Sequence, residues 1–319
     1  MRLPDRVVEW VAAARRMLLP AKSRLLPVDA RGPAAAAAIA ELLSRPAPCM
    51  ISRFGATELA ALLSVWDVRD PRNVWIKRWK VFLGEMRATD RWSPRIRRHM
   101  ADWSGFFPLT DEALGRFADR LAADAREIDL LGSWLPEEAR VRHLLPAARL
   151  IPVGDLRPEL HDPPWSRCLA GRRVLVVHPF AESIRRQYAR RERIFPTLGV
   201  LPAFTLETLP AVQSLGGADH GFADWFAALD SMCARIDGAE YDVALIGAGA
   251  YGLPLAAHVK RAGKQAVHIG GHLQIMFGIL GGRWDDDPAI RRLRTDAWTR
   301  PLPEEQPPTA DRVERACYW

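Results

Sequence analysis

Tyr241-Asp242-Val243-Ala244-Leu245-Ile246-Gly247-Ala248-Gly249-Ala250-Tyr251-Gly252-Leu253-Pro254-Leu255 opens the stretch, running on to Trp284, that decides the fold. Val243 to Ile246 is an apolar run of strand length, and it breaks into Gly247, Gly249 and Gly252. The residues beyond predict a helix, with Pro254 near its first turn and Gly263 just past its end, where helix starts and stops favour those residue types. A second short strand, Gln265 to Ile269, breaks at Gly270-Gly271. Strand, glycine turn, helix, strand is the βαβ unit of a parallel sheet with helices on its faces. The expected fold class is therefore α/β, a Rossmann-like parallel sheet flanked by helices. Ligands of such sheets sit beyond the carboxyl ends of the strands, which puts both glycine turns where a binding site belongs.

Working upstream, Cys49 to Ser52 and then Arg53-Phe54-Gly55-Ala56-Thr57-Glu58-Leu59 read as a second strand–turn–helix corner. Thr57 is its capping candidate, and Arg53 and Glu58 flank the turn. An arginine here can clamp a phosphate, and a carboxylate can act as a base or hold a divalent cation. The plainer alternative is a helix-start glutamate favoured by the dipole beside a surface arginine. Ile128–Ser133, Leu150–Val153, Arg172–Val177 and Phe204–Leu209 are further extended segments. After the fourth strand the chain turns at His178-Pro179-Phe180 into Ala181-Glu182-Ser183-Ile184-Arg185-Arg186-Gln187. Backbone N–H groups of a helix start, with Ser183 and Arg185, can receive a phosphate. His178, at the strand end, is a candidate general base or donor, and a structural turn histidine is the alternative. The helix expected over Phe222–Ile236 carries Trp225, Phe226, Leu229 and Met232 on one stripe, which belongs to a core. A helix is also expected over Gln274–Ile279, before Gly281-Gly282-Arg283-Trp284.

Composition narrows the classes. The chain has 319 residues, 49% of them hydrophobic, with no apolar run of membrane-spanning length. The start lacks the uninterrupted apolar region of a secretory signal. Cys49, Cys168, Cys233 and Cys317 are scattered without metal-ligand spacing, so reduced thiols of a cytoplasmic protein are expected. A net charge of +7 comes mostly from dispersed arginine, with no nucleic-acid recognition signature; arginine suits carboxylate and phosphate instead. The basic, apolar-striped segment over 4–26 suits either packing on its own domain or peripheral contact with an anionic membrane face. Trp75, Trp79, Trp92 and Trp103 sit in a helical stretch and read as core. The organisation expected is an N-terminal helical segment, 1–46, a Rossmann-like domain, 47–300, with an internal boundary near 158–171, and a tail, 301–319, that wraps the surface.

Gly247, Gly249 and Gly252 fit G-x-G-x-x-G after a strand and before a helix. The dinucleotide version places an acidic residue at the end of the next strand to hold the ribose. Here that neighbourhood is His268-Ile269-Gly270-Gly271, which lowers the NAD-dependent oxidoreductase reading below the others. The glycines still permit close approach of a ligand to the backbone.

Arg53-Phe54-Gly55-x-x-Glu58 resembles the N-terminal motif of GT-D-fold glycosyltransferases, and Gly263 to Gly270 is similar to that family's last βα unit. His178 to Ile184, Gly249 to Ala256 and Phe277 to Trp284 resemble a bacterial group tied to surface-polysaccharide synthesis, over most of residues 48–319. The resemblance implies a glycosyltransferase of hexosyl type, moving a sugar from a nucleoside diphosphate donor to a glycan or lipid-linked acceptor. It implies Glu58, His178 and Arg53 as catalytic residues. Binding roles would fall to Gly55, Ser183, Arg185, Gln187, Gly247, Gly249, Tyr251, Gly252, His268, Gly270, Gly271, Gln274 and Arg283, with His268 an alternative base. The family pattern has Asp-x-Glu in the first corner, and Ala56 stands where the Asp would be. A Mn²⁺ or Mg²⁺ ion would then have Glu58 as its one motif carboxylate, with Arg53, Arg185 and Arg283 available for charge neutralisation. The second class of function is a non-catalytic nucleotide-binding or assembly protein.

Overall fold

The computed structural model describes residues 25–70, 94–215, 221–310 and 316–319. The basic segment over 4–26, except its last two residues, lies outside them, as do Trp75, Trp79 and Trp92 and the 216–220 part of the glycine loop. Helix α1 (Pro33–Ser44) precedes β1 (Cys49–Ser52), which turns into α2 (Ala56–Arg69). Helices α3 (Pro94–Asp102) and α4 (Asp111–Ala125) lead to β2 (Leu130–Ser133) and β3 (Arg149–Pro152). The second half runs β4 (Arg173–His178), α5 (Ala181–Tyr188), α6 (Arg191–Ile194), β5 (Thr205–Pro210), α7 (Trp225–Asp237) and β6 (Val243–Ile246). It continues through α8 (Gly252–Arg261), β7 (Gln265–His268), α9 (Leu273–Met276) and α10 (Pro288–Leu293).

The strands form one seven-stranded sheet in the order β3-β2-β1-β7-β6-β4-β5, and every pairing is parallel. This is the Rossmann-like α/β fold expected, and one sheet carries strands from both sides of the 158–171 connector. Burial on both faces explains the short, largely apolar strands of the sheet interior, whereas edge strand β5 is mostly exposed or half-buried. Leu175, Val177, Ala244 and Ile246 point into one core, while Val174, Val176, Val243 and Leu245 point into the other. Helices α2, α4, α7 and α8 cover the first face, and α1, α5 and α9 cover the second.

This layering positions the site. From β6 the chain crosses one face through α8 to β7, and from β4 it crosses the opposite face through α5 to β5. Strands β4 and β6 are neighbours, so the loops leaving their carboxyl ends diverge and open a crevice between them. That is the topological switch point of an open parallel sheet.

Local chemistry sets the element boundaries. Gly263 ends α8 in the left-handed region, φ 81°, with its N–H donating to Lys260 O at 2.9 Å and Lys264 N–H to Val259 O at 3.1 Å. Such a helix end favours a residue without Cβ. Three expected details are corrected. The cap of α2 is Gly55, with no side-chain cap bond, so Thr57 does not serve. Helix α7 begins at Trp225 because the Asp224 carboxylate accepts from Ala227 N–H at 2.7 Å. The helix expected over Gln274–Ile279 is the single turn α9, after which Gly278 (φ 67°) reverses the chain. Among the described residues no helix is long and apolar enough to cross a membrane.

Candidate functional site

The site begins where β1 ends. Arg53 turns its guanidinium back over its own corner, donating from Nε and Nη2 to Phe54 O at 3.1 and 2.9 Å. The indole of Trp134, just past β2, donates to the same carbonyl at 2.9 Å and lies 4.9 Å beneath the guanidinium. Trp134 is held in turn by buried Glu138, whose carboxylate accepts from Ser133 Oγ and from the N–H groups of Trp134 and Leu135. Among the described residues, no carboxylate stands within ion-pair distance of Arg53. Burial lowers the Arg53 pKa, and the nearby Glu58 charge works against that shift. One turn into α2, a Glu58 oxygen accepts from Ser104 Oγ at 2.7 Å. A Cβ at Gly55 would come within 1.8 Å of the other Glu58 oxygen, so glycine there leaves the carboxylate its place.

The two histidines are buried rather than presented. His268, 4% exposed, has Nδ1 3.0 Å from Ser52 Oγ. His178, 3% exposed, accepts at Nδ1 from Phe180 N–H at 3.0 Å. Burial pushes each imidazole down to about 3, with the Arg53 charge adding to the effect at His268. A neutral ring with so low a pKa makes a weak base at pH 7.

These rings also account for two of the glycines. A Cβ at Gly252 would lie 2.2 Å from His268 Nε2, and one at Gly247 would lie 2.6 Å from His178 Cδ2. A Cβ at Gly271 would meet the Tyr318 ring at 2.5 Å, and one at Gly270 would come to 3.2 Å from Arg53 Nη1. What approaches these turns closely is the chain itself. Gly249, at φ 52° with nothing within 4 Å of its would-be Cβ, is the motif glycine that faces open space. Gly252→Ala is expected to cost about 1–3 kcal/mol of stability in urea unfolding, the usual penalty for overpacking a filled core. Unchanged stability would mean that the His268 ring has room to move.

Together these groups line a cleft of about 190 Å³ at the carboxyl ends of β1 and β7. Of the expected residues it unites Arg53, Gly55, Glu58, Gly249 and His268 with Gly270, Gly271 and Arg283. Its aromatic walls are Trp103, Trp134 and Tyr318. A second cavity of about 80 Å³ adjoins it at the β4–β6 switch point, where His178, Gly247 and Gln274 meet Trp319. The two share Trp103, Gly249, Gly271 and Tyr318 as walls.

Five expected residues fall outside both spaces. Tyr251 is buried, stacked 4.9 Å from Trp225 with its hydroxyl 2.9 Å from Ser214 Oγ; Gly252 is buried behind it in α8. Gln187 is a buried clamp, its amide donating to Phe277 O, Gly278 O and Ala297 O. Arg185 pairs with Glu182 and donates to Thr208 Oγ1. At Ser183 the helix start already holds an anion, the chain's own Glu305. Its carboxylate accepts from Glu182 N–H at 2.8 Å, Ser183 N–H at 3.2 Å and Ser183 Oγ.

The sequence reading missed Trp134, Ser104, Tyr318 and Trp319 as site residues. Trp134 had a signal, since it directly follows a strand end. Tyr318 and Trp319 had none. They arrive because the tail folds back, with Arg283 N–H donating to Cys317 O at 2.9 Å and Gly282 N–H to Trp319 O at 3.1 Å. Arg283 also donates to the Tyr318 hydroxyl at 3.0 Å.

The donor set does not fit a resident divalent cation. Glu58 is the one carboxylate among the described residues lining the cleft, and Ser104 occupies one of its oxygens. A hard cation asks for several oxygens in near-octahedral array. Among the described residues no three His, Cys, Asp or Glu side chains converge.

Comparison with protein-family models, with curated proteins and with solved structures finds no match to this chain.

Proposed function

We propose that the cleft binds the diphosphate of a nucleoside diphosphate sugar and that the protein transfers the sugar to a glycan or lipid-linked acceptor. The observation that carries this reading is Arg53. It is a guanidinium at the carboxyl edge of a parallel sheet, without a carboxylate partner among the described residues. Its Nη1 has no acceptor among the described residues, and Gly270 leaves space beside it. An arginine so placed suits a phosphate. Trp103, Trp134 and Tyr318 offer faces on which a base or sugar ring can stack. The resemblance of the Arg53–Glu58 corner to GT-D enzymes supplies the sugar-transfer chemistry.

In this reading the acceptor oxygen attacks the anomeric carbon as the bond from that carbon to the diphosphate breaks. The hydroxyl proton passes to the Glu58 carboxylate, and the electron pair leaves on the diphosphate, where Arg53 meets the developing charge. Ser104 orients Glu58 through the 2.7 Å hydrogen bond. Donor turnover is expected to fall roughly 10²- to 10⁴-fold in Glu58→Gln, the range of a lost general base, while UDP or GDP still raises the melting temperature. Stabilisation by these nucleotides should persist without Mn²⁺, because arginine rather than metal carries the charge. Failure of every nucleoside diphosphate to stabilise the protein would sink the reading.

The single carboxylate also favours a second class, a nucleotide-binding module without turnover. Binding that survives in Glu58→Gln, from a wild type that hydrolyses and transfers nothing, would decide for it.

A further inference from the structure

The cleft does not end at the switch point. Beyond Pro179 and Gln213, which also wall the smaller cavity, a groove of about 870 Å³ opens at the carboxyl ends of β4 and β5. Three spaces thus lie in line along one edge of the sheet, from Arg53 through Tyr318 and Gln213 to Glu304. We infer that this groove is a second binding site, for a neutral or cationic carbohydrate chain, and so seats the acceptor end of the transfer.

Size and place come first. The groove lies within the usual range for ligand sites and on the edge where parallel sheets bind ligands. One of its walls is the 304–309 stretch of the tail. That stretch is pinned by Glu305 on the start of α5, by Gln213 Nε2 donating to Glu305 O at 2.9 Å, and by Thr309 Oγ1 donating to Leu215 O at 2.8 Å. The groove is therefore built by tertiary contacts on both sides.

Its chemistry is opposite to that of the cleft. Arg185, the one basic residue lining the groove among the described residues, is committed to Glu182. The Glu305 carboxylate is engaged by the helix start. Glu304 remains without a partner among the described residues, so the groove presents negative charge where the cleft presents Arg53. A phosphate is drawn to one end and turned away from the other. On the wall between them the buried Gln213 Oε1 has no donor among the described residues, a carbonyl suited to a hydroxyl or ammonium group. Proline faces at Pro210, Pro307 and Pro308 provide flat apolar surface for the C–H side of a sugar ring.

This inference rests on the transferase reading for the word acceptor, but not for its test. Saturation-transfer NMR on the full chain at low salt would use three trimers: β-1,4-linked glucosamine, cellotriose and galacturonate. UDP would be titrated in parallel. The glucosamine and cellulose trimers should take up saturation and the acidic trimer should not. Glu304→Lys, a change at an unpartnered side chain, should weaken the glucosamine trimer roughly fivefold, as expected for a partly exposed charge contact. Gln213→Ala should weaken both binding trimers.

If no trimer binds while UDP does, the groove is not a carbohydrate site and the cleft reading stands. Equal binding of the acidic trimer, or a Glu304→Lys protein that binds glucosamine trimer as tightly as wild type, would also overturn the inference. Trimer binding without UDP binding would support the groove and remove the cleft reading.

Discussion

Arg53→Ala is expected to weaken binding of UDP or GDP by about 10- to 100-fold, the cost of losing a charge-assisted hydrogen bond to a phosphate. The side chain is well placed for that loss to be specific. Two of its three nitrogens hold Phe54 O, the ring of Trp134 supports it from below, and its remaining nitrogen faces the cleft. Arg53→Lys keeps the charge but loses the fork that grips Phe54 O, so binding should return in part. Titration calorimetry on wild type and both variants checks the order wild type, Lys, Ala. Equal affinity across the three would remove the phosphate from this corner. Because Trp134 also bonds Phe54 O, the corner retains one anchor in both variants, and circular dichroism can confirm that they fold.

Acidification is the second large effect. His178 and His268 are held neutral, with pKa pushed down to about 3 by burial, whereas an unfolded histidine titrates near 6.5. Between about pH 6.5 and 3 the unfolded chain therefore binds two protons that the folded chain refuses. Stability is fully present above pH 6.5 and is lost as pH falls, at up to ~2.7 kcal/mol per pH unit for two such groups. Glu159 adds to the loss below the ordinary glutamate range, because Arg157 and His272 hold its pKa down to about 2 despite its burial. Asp124 and Glu138 work the other way, their pKa values being raised by burial, so they offset part of the loss above the ordinary carboxylate range. Urea midpoints from pH 7.5 to 4 should fall steeply below pH 6, and His178→Gln or His268→Gln should flatten the slope. A midpoint unchanged down to pH 4.5 would show that the rings are protonated within the fold.

The strands and their parallel direction were legible because a buried parallel sheet has a blunt signature. Val243–Ile246, Arg173–His178 and Gln265–His268 are apolar runs stopped by glycine or proline, and the structure places each as a parallel strand. Helix α8 could be read from Pro254 and Gly263 for the same local reason. What was not legible was the purpose of the glycines. A glycine reports only that a Cβ is unwelcome, and the intruder can be a ligand or a side chain far away in sequence. At Gly252 and Gly247 it is a histidine, and at Gly271 it is Tyr318.

The α/β class and the pairing of Arg53 with Glu58 on one corner could be read from the sequence, since each depends on spacing within a few residues. Tertiary contacts are what bury the His178 and His268 rings. They also put Glu305 on the helix start offered by Ser183, Tyr318 into the cleft wall and Trp319 into that of the adjoining cavity. Those outcomes depend on contacts between segments from 35 to 216 residues apart, and no local pattern encodes which distant side chain will fill a given space.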